Sequence, residues 1–301
     1  MTQPGEGRSE VPGGQHAAGG RKEAAGSQQA VAAQAARDAP EAAAERQLRV
    51  WRGDKAGGAL TSYTVGVHEG EVVLDVLHRL QASQAGDLAI RWNCKAGKCG
   101  SCSAEINGRP KLLCMTRLSS LPKGPITITP LRTFPVIRDL VTDVSMNYDW
   151  ARQVPSFAPP QGLRPGEYRM AQADIGRSQE FRKCIECWLC QDVCHVIRDH
   201  EQNKPVYAGP RVFIRHAELD MHPLDTGDRR GVLRERQGLG LCNITKCCTE
   251  VCPAGIKITD NAIIPMKERS ADQRYDPLGR LVRSWRHREG RPPRQGPQAP
   301  E

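Results

Sequence analysis

Hydrophobic and polar residues alternate over QLRVW and again over LTSYTVGV, which predicts two paired strands joined through Gly57 and Gly58. The period then lengthens. In VVLDVLHRLQAS, Val73, Val76, Leu77 and Leu80 recur at helical spacing. CSAEING and RPKLLCM read as a short hairpin turning at Asn107-Gly108, and ITITP as a last strand. Residues 131–150 read as a linker ending in a helix. Beyond them, EYRMAQADIGRSQEFRKC, RVFIRHAELDMHP and NAIIPMKER carry apolar residues at helical intervals, with no strong alternation. The predicted order is a β-rich region followed by a mostly helical one.

The ends of the chain have a different texture. Residues 1–46 are rich in Gly, Ala, Gln and charge and lack Leu, Ile and Phe to bury, so a disordered extension is expected. Residues 276–301 hold Arg280, Arg283, Arg286, Arg288, Arg291 and Arg294 among Pro and Gly, and read as a disordered basic tail. The expected domains between them are 47–140 and 141–275. Hydrophobic content of 39% with 29 Gly and 22 Pro is thin for two conventional cores, which suits domains held partly by metal. The net charge of +9 permits a phosphate-bearing or membrane-surface partner. With only 5% aromatic residues, a stacking platform for nucleic acid is not expected. The N-terminus shows no secretory signal, and no apolar run of about 18 residues occurs, so a reduced, cytoplasmic chain that does not itself span a membrane is expected.

The cysteines carry the chemistry. All 12 fall into three groups of four. Cys94, Cys99, Cys102 and Cys114 form a C-x4-C-x2-C-x11-C run, the spacing of a plant-type 2Fe–2S site. Gly97 and Gly100 within it let the backbone wrap closely. A zinc site would pair two short C-x-x-C units, which the lone Cys114 does not supply. Cys184, Cys187, Cys190 and Cys194 form the bacterial ferredoxin run, in which the fourth cysteine ligates the other cluster. The third group, Cys242, Cys247, Cys248 and Cys252 before Pro253, supplies what is missing. Cys252 is placed to complete a 4Fe–4S cluster on Cys184, Cys187 and Cys190, while Cys242 and Cys248 are placed to join Cys194. A second cubane would take its extra ligand at Thr245, so a 3Fe–4S cluster is expected, with Cys247 left as a spare thiol.

CKAGKCGSCSAEINGRPKLLC, FPVIRDLVTD, CIECWLCQDVC and CNITKCCTEVCP together resemble the iron–sulfur subunit of succinate dehydrogenase and fumarate reductase, over about residues 47–270. The resemblance implies an α+β chain: an N-terminal β-grasp 2Fe–2S ferredoxin domain followed by an all-α two-cluster ferredoxin domain. It implies the same three ligand sets, an FAD-containing flavoprotein partner, and a membrane anchor with quinone at the cytoplasmic face of the cell membrane. Single electrons would pass between flavin and quinone, with substrate chemistry on the flavoprotein. The sequence departs from the family where His195 stands in place of a common proline. Asn243 stands in place of the histidine of the ubiquinone branch, and HVIRDH lacks that branch's tryptophan. This pattern resembles the menaquinone branch, with His195 and His200 as candidate quinone residues. Two other readings are an iron–sulfur subunit serving a different flavoprotein and a zinc-stabilised interaction module.

Overall fold

The computed structural model describes residues 44–164 and 166–275, with side chains up to 272. The basic tail and nearly all of the N-terminal extension lie outside the described residues. Ala44–Arg46 do not: they open the first strand, pairing with Val65–Val67.

Strands β1 (Ala44–Asp54) and β2 (Gly57–Val67) form the long antiparallel hairpin. Its turn is Lys55-Ala56, where Asp54 accepts the Ala56 N–H, and not the glycines. Gly53 and Gly58 are a cross-strand pair, and a Cβ on Gly58 would come within 2.4 Å of the Arg52 carbonyl oxygen. Helix α1 (Val73–Ser83) buries Val73, Val76, Leu77 and Leu80 as the spacing predicts, and Asp75 accepts the Val72 N–H at its start. β3 (Ser103–Ile106) and β4 (Arg109–Leu112) turn at Asn107-Gly108, both at positive φ as a type I′ turn requires. β5 (Ile126–Thr129) runs parallel to β1 beside Leu48 and Val50. This mixed sheet, wrapped on one helix, is β-grasp-like.

The segment expected to be a linker is partly strand. β6 (Val136–Arg138) and β7 (Val141–Thr142) form a small hairpin, so the sheet continues past the expected boundary at 140. Its hold is long-range: the buried Asp139 carboxylate accepts the N–H groups of Gly53 and Ala89 and the Arg52 Nε–H. No local alternation announces such a strand.

The rest is helical: α2 (Ser145–Arg152), α3 (Gln172–Arg182), α4 (Leu189–Asp192), α5 (His195–Arg198), α6 (Pro210–Asp220), α7 (Arg229–Glu235) and α8 (Cys247–Glu250). A π-helical turn, Ile258–Ile263, leads into α9 (Ile264–Tyr275). α6 buries Val212, Phe213, Ile214 and Ala217, which pack with Ile258, Ala262 and Ile263 in one core. The two regions lie within one compact unit, and Cys187, Trp188 and Leu189 of the helical region belong to the sheet's core.

A buried ion pair ties the helical half together. The Arg229 guanidinium is bonded to Asp225 and donates to the carbonyls of Pro155 and Ser156, with both charged side chains almost wholly out of water. Removing one partner of such a pair leaves a buried charge, which costs about 3–5 kcal/mol. Arg229→Met should therefore lower stability by that amount, read as a drop in the denaturant midpoint. A variant with parent-like stability would show that water reaches Asp225.

Candidate metal centres

Cys94, Cys99 and Cys102 lie on the loop between α1 and β3. Cys114 sits in a 3-10 turn, Leu113–Met115, and not in a strand. The β3–β4 hairpin folds that turn back, and the Leu113 N–H donates to the Cys102 carbonyl at 2.9 Å. The loop is curled by positive φ at Lys95, Gly97 and Gly100. That curl aims backbone donors at sulfur: the N–H groups of Ala96 and Lys98 lie 3.4 and 3.3 Å from Cys94 Sγ. Cys102 and Cys114 are buried, while Cys94 is exposed.

The remaining cysteines line two cavities. Cys184, Cys187, Cys190 and Cys252 face one, with Ile185, Trp188, Ile214, Ile256 and Ile258 as an apolar wall. Cys194, Cys242, Cys247 and Cys248 face the other. Each of the two helical cysteine motifs thus sends its last cysteine to the other's cavity, as the ferredoxin spacing predicts.

The two loops share one backbone design. Cys184, Glu186, Cys187, Trp188, Cys190 and Cys194 correspond in order to Cys242, Ile244, Thr245, Lys246, Cys248 and Cys252. Glu186 and Trp188 are left-handed (φ 54° and 62°), and so are Ile244 and Lys246 (φ 63° and 64°). A one-turn helix follows each, α4 and α8. The closing hydrogen bonds match as well: Gln191 N to Trp188 O and Cys194 N to Gln191 O on one loop, Thr249 N to Lys246 O and Cys252 N to Thr249 O on the other. In this repeat Thr245 occupies the place of Cys187.

Cys247 corresponds to Leu189, yet it does line the second cavity. Cys247 and Cys248, the first two residues of α8, both line it, whereas Leu189 at the same place in the other loop packs into the sheet's core. Cys247 Sγ is 3.4 Å from the Thr245 hydroxyl, which is also 3.4 Å from His195 Nδ1. His195 and Asn243 line this cavity, whereas His200 is exposed and does not.

Burial sets the electrostatics. It pushes the thiols of Cys102, Cys187 and Cys194 up to about 12 and that of Cys248 to about 11. At Cys99 burial also acts upward, but hydrogen bonds with Ser101 and Cys94 bring the thiol down to about 6. A buried thiol that resists ionisation gives up its proton only to a metal. Among the described residues, no three His, Cys, Asp or Glu side chains converge to hold a single metal ion. The eight cysteines of the helical region stand around cavities, an arrangement suited to a polynuclear cluster.

Several residues without any sequence signal complete the sites. The Tyr207 ring and Thr259 close the second cavity. Arg211, paired with Glu186, borders the first. Arg198 Nη2 lies 2.9 Å from Glu105 Oε1, joining β3 to α5, while Asp192 accepts the Thr133 N–H.

The sequence profile described as a 2Fe-2S iron-sulfur cluster binding domain matches residues 47–149, and that of a 4Fe-4S dicluster domain matches residues 180–256. A chain of the Mycobacterium smegmatis Sdh1 complex in the apo form is 70% identical. It superposes with a TM-score of 0.76 over 78% of this chain and 98% of its own. The fumarate reductase iron-sulfur subunit of Mycobacterium tuberculosis (strain CDC 1551 / Oshkosh) is 35% identical over 203 residues, 65% of this chain and 79% of that one. The succinate dehydrogenase iron-sulfur subunit of Bacillus subtilis (strain 168) is 32% identical over 178 residues, 56% and 68% of the two chains.

The first cysteine loop touches the second at Gly100. Its φ is +69°, and a Cβ there would stand 2.7 Å from Cys187 Cα and 2.8 Å from the Ile185 carbonyl. Gly100→Ala should therefore disturb the 2Fe–2S and 4Fe–4S signals together. Gly108→Ala is the control, since Gly108 shares the positive φ but has open space around it. Electron paramagnetic resonance of both variants checks this; unchanged signals in Gly100→Ala would mean that the two loops are not in contact.

Proposed function

This chain belongs to the iron–sulfur subunits of succinate dehydrogenase and fumarate reductase, and on that premise we propose that it carries single electrons between the flavin of a partner subunit and a membrane quinone through three clusters. It is an electron-transfer component of an oxidoreductase, and the substrate chemistry sits on the flavoprotein. In this reading Cys94, Cys99, Cys102 and Cys114 hold 2Fe–2S. Cys184, Cys187, Cys190 and Cys252 hold 4Fe–4S, and Cys194, Cys242 and Cys248 hold 3Fe–4S. The observation that carries it is the repeated loop, which presents a ligand at Cys187 and a threonine at the equivalent Thr245.

The clusters supply one-electron storage at potentials set by their surroundings. The chain's own residues fix where those electrons sit. The Gly100–Cys187 contact keeps the first two sites adjacent. The shared helix α4 and Cys194 keep the second and third adjacent. The exposed first loop, with Cys94 at the surface, faces the flavoprotein. The second cavity faces the membrane anchor, and the exposed Val206, Leu241 and Ile244 beside it offer apolar area for that contact. Among the described residues no helix is long and apolar enough to cross a membrane, and in this reading a separate anchor subunit holds the chain at the cytoplasmic face. Asn243 and the missing tryptophan favour menaquinone as the electron partner.

The assembled protein should hold about nine irons per chain. Thr245→Cys should raise that to about ten and replace the three-iron resonance by a four-iron one. Cys252→Ser should damage the 4Fe–4S signal and spare the three-iron signal, although Cys252 follows the third site's ligands in sequence. Loss of the three-iron signal alone in Cys252→Ser would reverse the ligand sets. Cys247→Ser should leave all three resonances in place.

A further inference from the structure

The second helical cavity differs from the first in one respect that its cysteines do not explain. Its wall carries hydroxyl groups that point at ligand sulfurs. Tyr207 is 1% exposed, and its Oη lies 3.7 Å from Cys194 Sγ, hydrogen-bond distance to sulfur, with Cys242 as a second sulfur partner. The ring is held edge-on to Phe213, centroids 5.3 Å apart, and its backbone N–H is bonded to Asn203. Thr259, also 1% exposed, places Oγ1 3.4 Å from Cys248 Sγ.

The direction of these hydrogen bonds follows from chemistry. A sulfur bound to iron is a thiolate and only accepts. Tyr207 must then donate its O–H. At Thr259 a short relay points the same way. The Thr259 N–H donates to Thr249 Oγ1 at 2.9 Å, and the Thr249 hydroxyl donates to Thr259 Oγ1 at 3.1 Å. The Thr259 proton is left for Cys248. The first cavity has Ile185, Trp188, Ile214, Ile256 and Ile258 in place of hydroxyls.

We propose that Tyr207 and Thr259 raise the reduction potential of the cluster on Cys194, Cys242 and Cys248 by donating hydrogen bonds to its ligand sulfurs. The proposal rests on the cluster assignment made above. Hydrogen bonds draw electron density from the thiolates and stabilise the reduced, more negative state of the cluster. Both residues are positioning residues for charge: they touch the ligands and leave the iron untouched. Their effect is to hold the arriving electron at the site nearest the anchor.

The test is a redox titration of the assembled complex, following the oxidised three-iron resonance. Tyr207→Phe and Thr259→Val should each lower the midpoint potential, and the double variant should lower it further, with iron content and line shape unchanged. Thr259→Ser keeps the donor and should titrate like the parent. Midpoints equal to the parent's in both variants, with the cluster in place, overturn the proposal. Should Tyr207→Phe lose the cluster, the Thr259 pair decides: a drop in Val but not in Ser supports the proposal, and no drop in Val overturns it. A parent complex without a three-iron resonance overturns the cluster assignment instead. The same titration on whichever resonance that site gives still decides the role of the hydroxyls.

Discussion

The backbone contact between Gly100 and Cys187 is the constraint on which the arrangement of the sites depends. It brings a loop of the β region against a loop of the helical region with no side chain between them. Ser103 reinforces it by donating to the carbonyls of Gly100 and Cys187 at 2.9 and 2.8 Å. A glycine is required twice over there, for the left-handed φ and for the space. Every other link between the halves builds outward from this point. Trp188 and Leu189 enter the sheet's core, Arg198 reaches Glu105, and Thr133 caps Asp192.

The cysteines are also core residues. Cys102, Cys114 and Cys187 belong to one hydrophobic cluster, and Cys190, Cys194 and Cys248 to the other. Buried thiols are neutral and pack as small apolar groups until metal displaces their protons. Folding and cluster loading therefore draw on the same interior positions. The two cavities differ in their walls. One is mainly isoleucine, and the other has hydroxyls inside and an exposed rim at Ile244 and Thr245. A metal site with solvent on one side and oriented donors on the other suits exchange of an electron with a partner. An apolar one suits a relay.

Much was legible from the residues alone. Spacing located the sheet hairpins, helix α1 and the type I′ turn at Asn107-Gly108, because local periodicity and positive-φ residue types decide those features. It also expects Cys252 to cross to the first helical group and Cys194 to the second, and the structure lines one cavity with Cys184, Cys187, Cys190 and Cys252 and the other with Cys194, Cys242, Cys247 and Cys248. That division follows from the reach of a C-x-x-C-x-x-C loop, which wraps one cluster and leaves its fourth cysteine facing away.

Other features became visible only in three dimensions. The β6–β7 hairpin exists because Asp139 is held by Gly53, Ala89 and Arg52, far away in sequence. The glycines taken for the first turn lie in β2, and at Gly58 the two backbones approach too closely for a Cβ. Cys247 faces the same cavity as Cys248, although its counterpart Leu189 in the other loop packs into the sheet's core. Tyr207 and Thr259 carry no motif at all; loop packing alone brings their hydroxyls to sulfur. The sequence by itself determined which residues can bind metal and in what groups, since ligand type and spacing are local properties. The tertiary structure decided which donors surround each group and how near the groups lie to one another, since both depend on contacts between segments that no local pattern encodes.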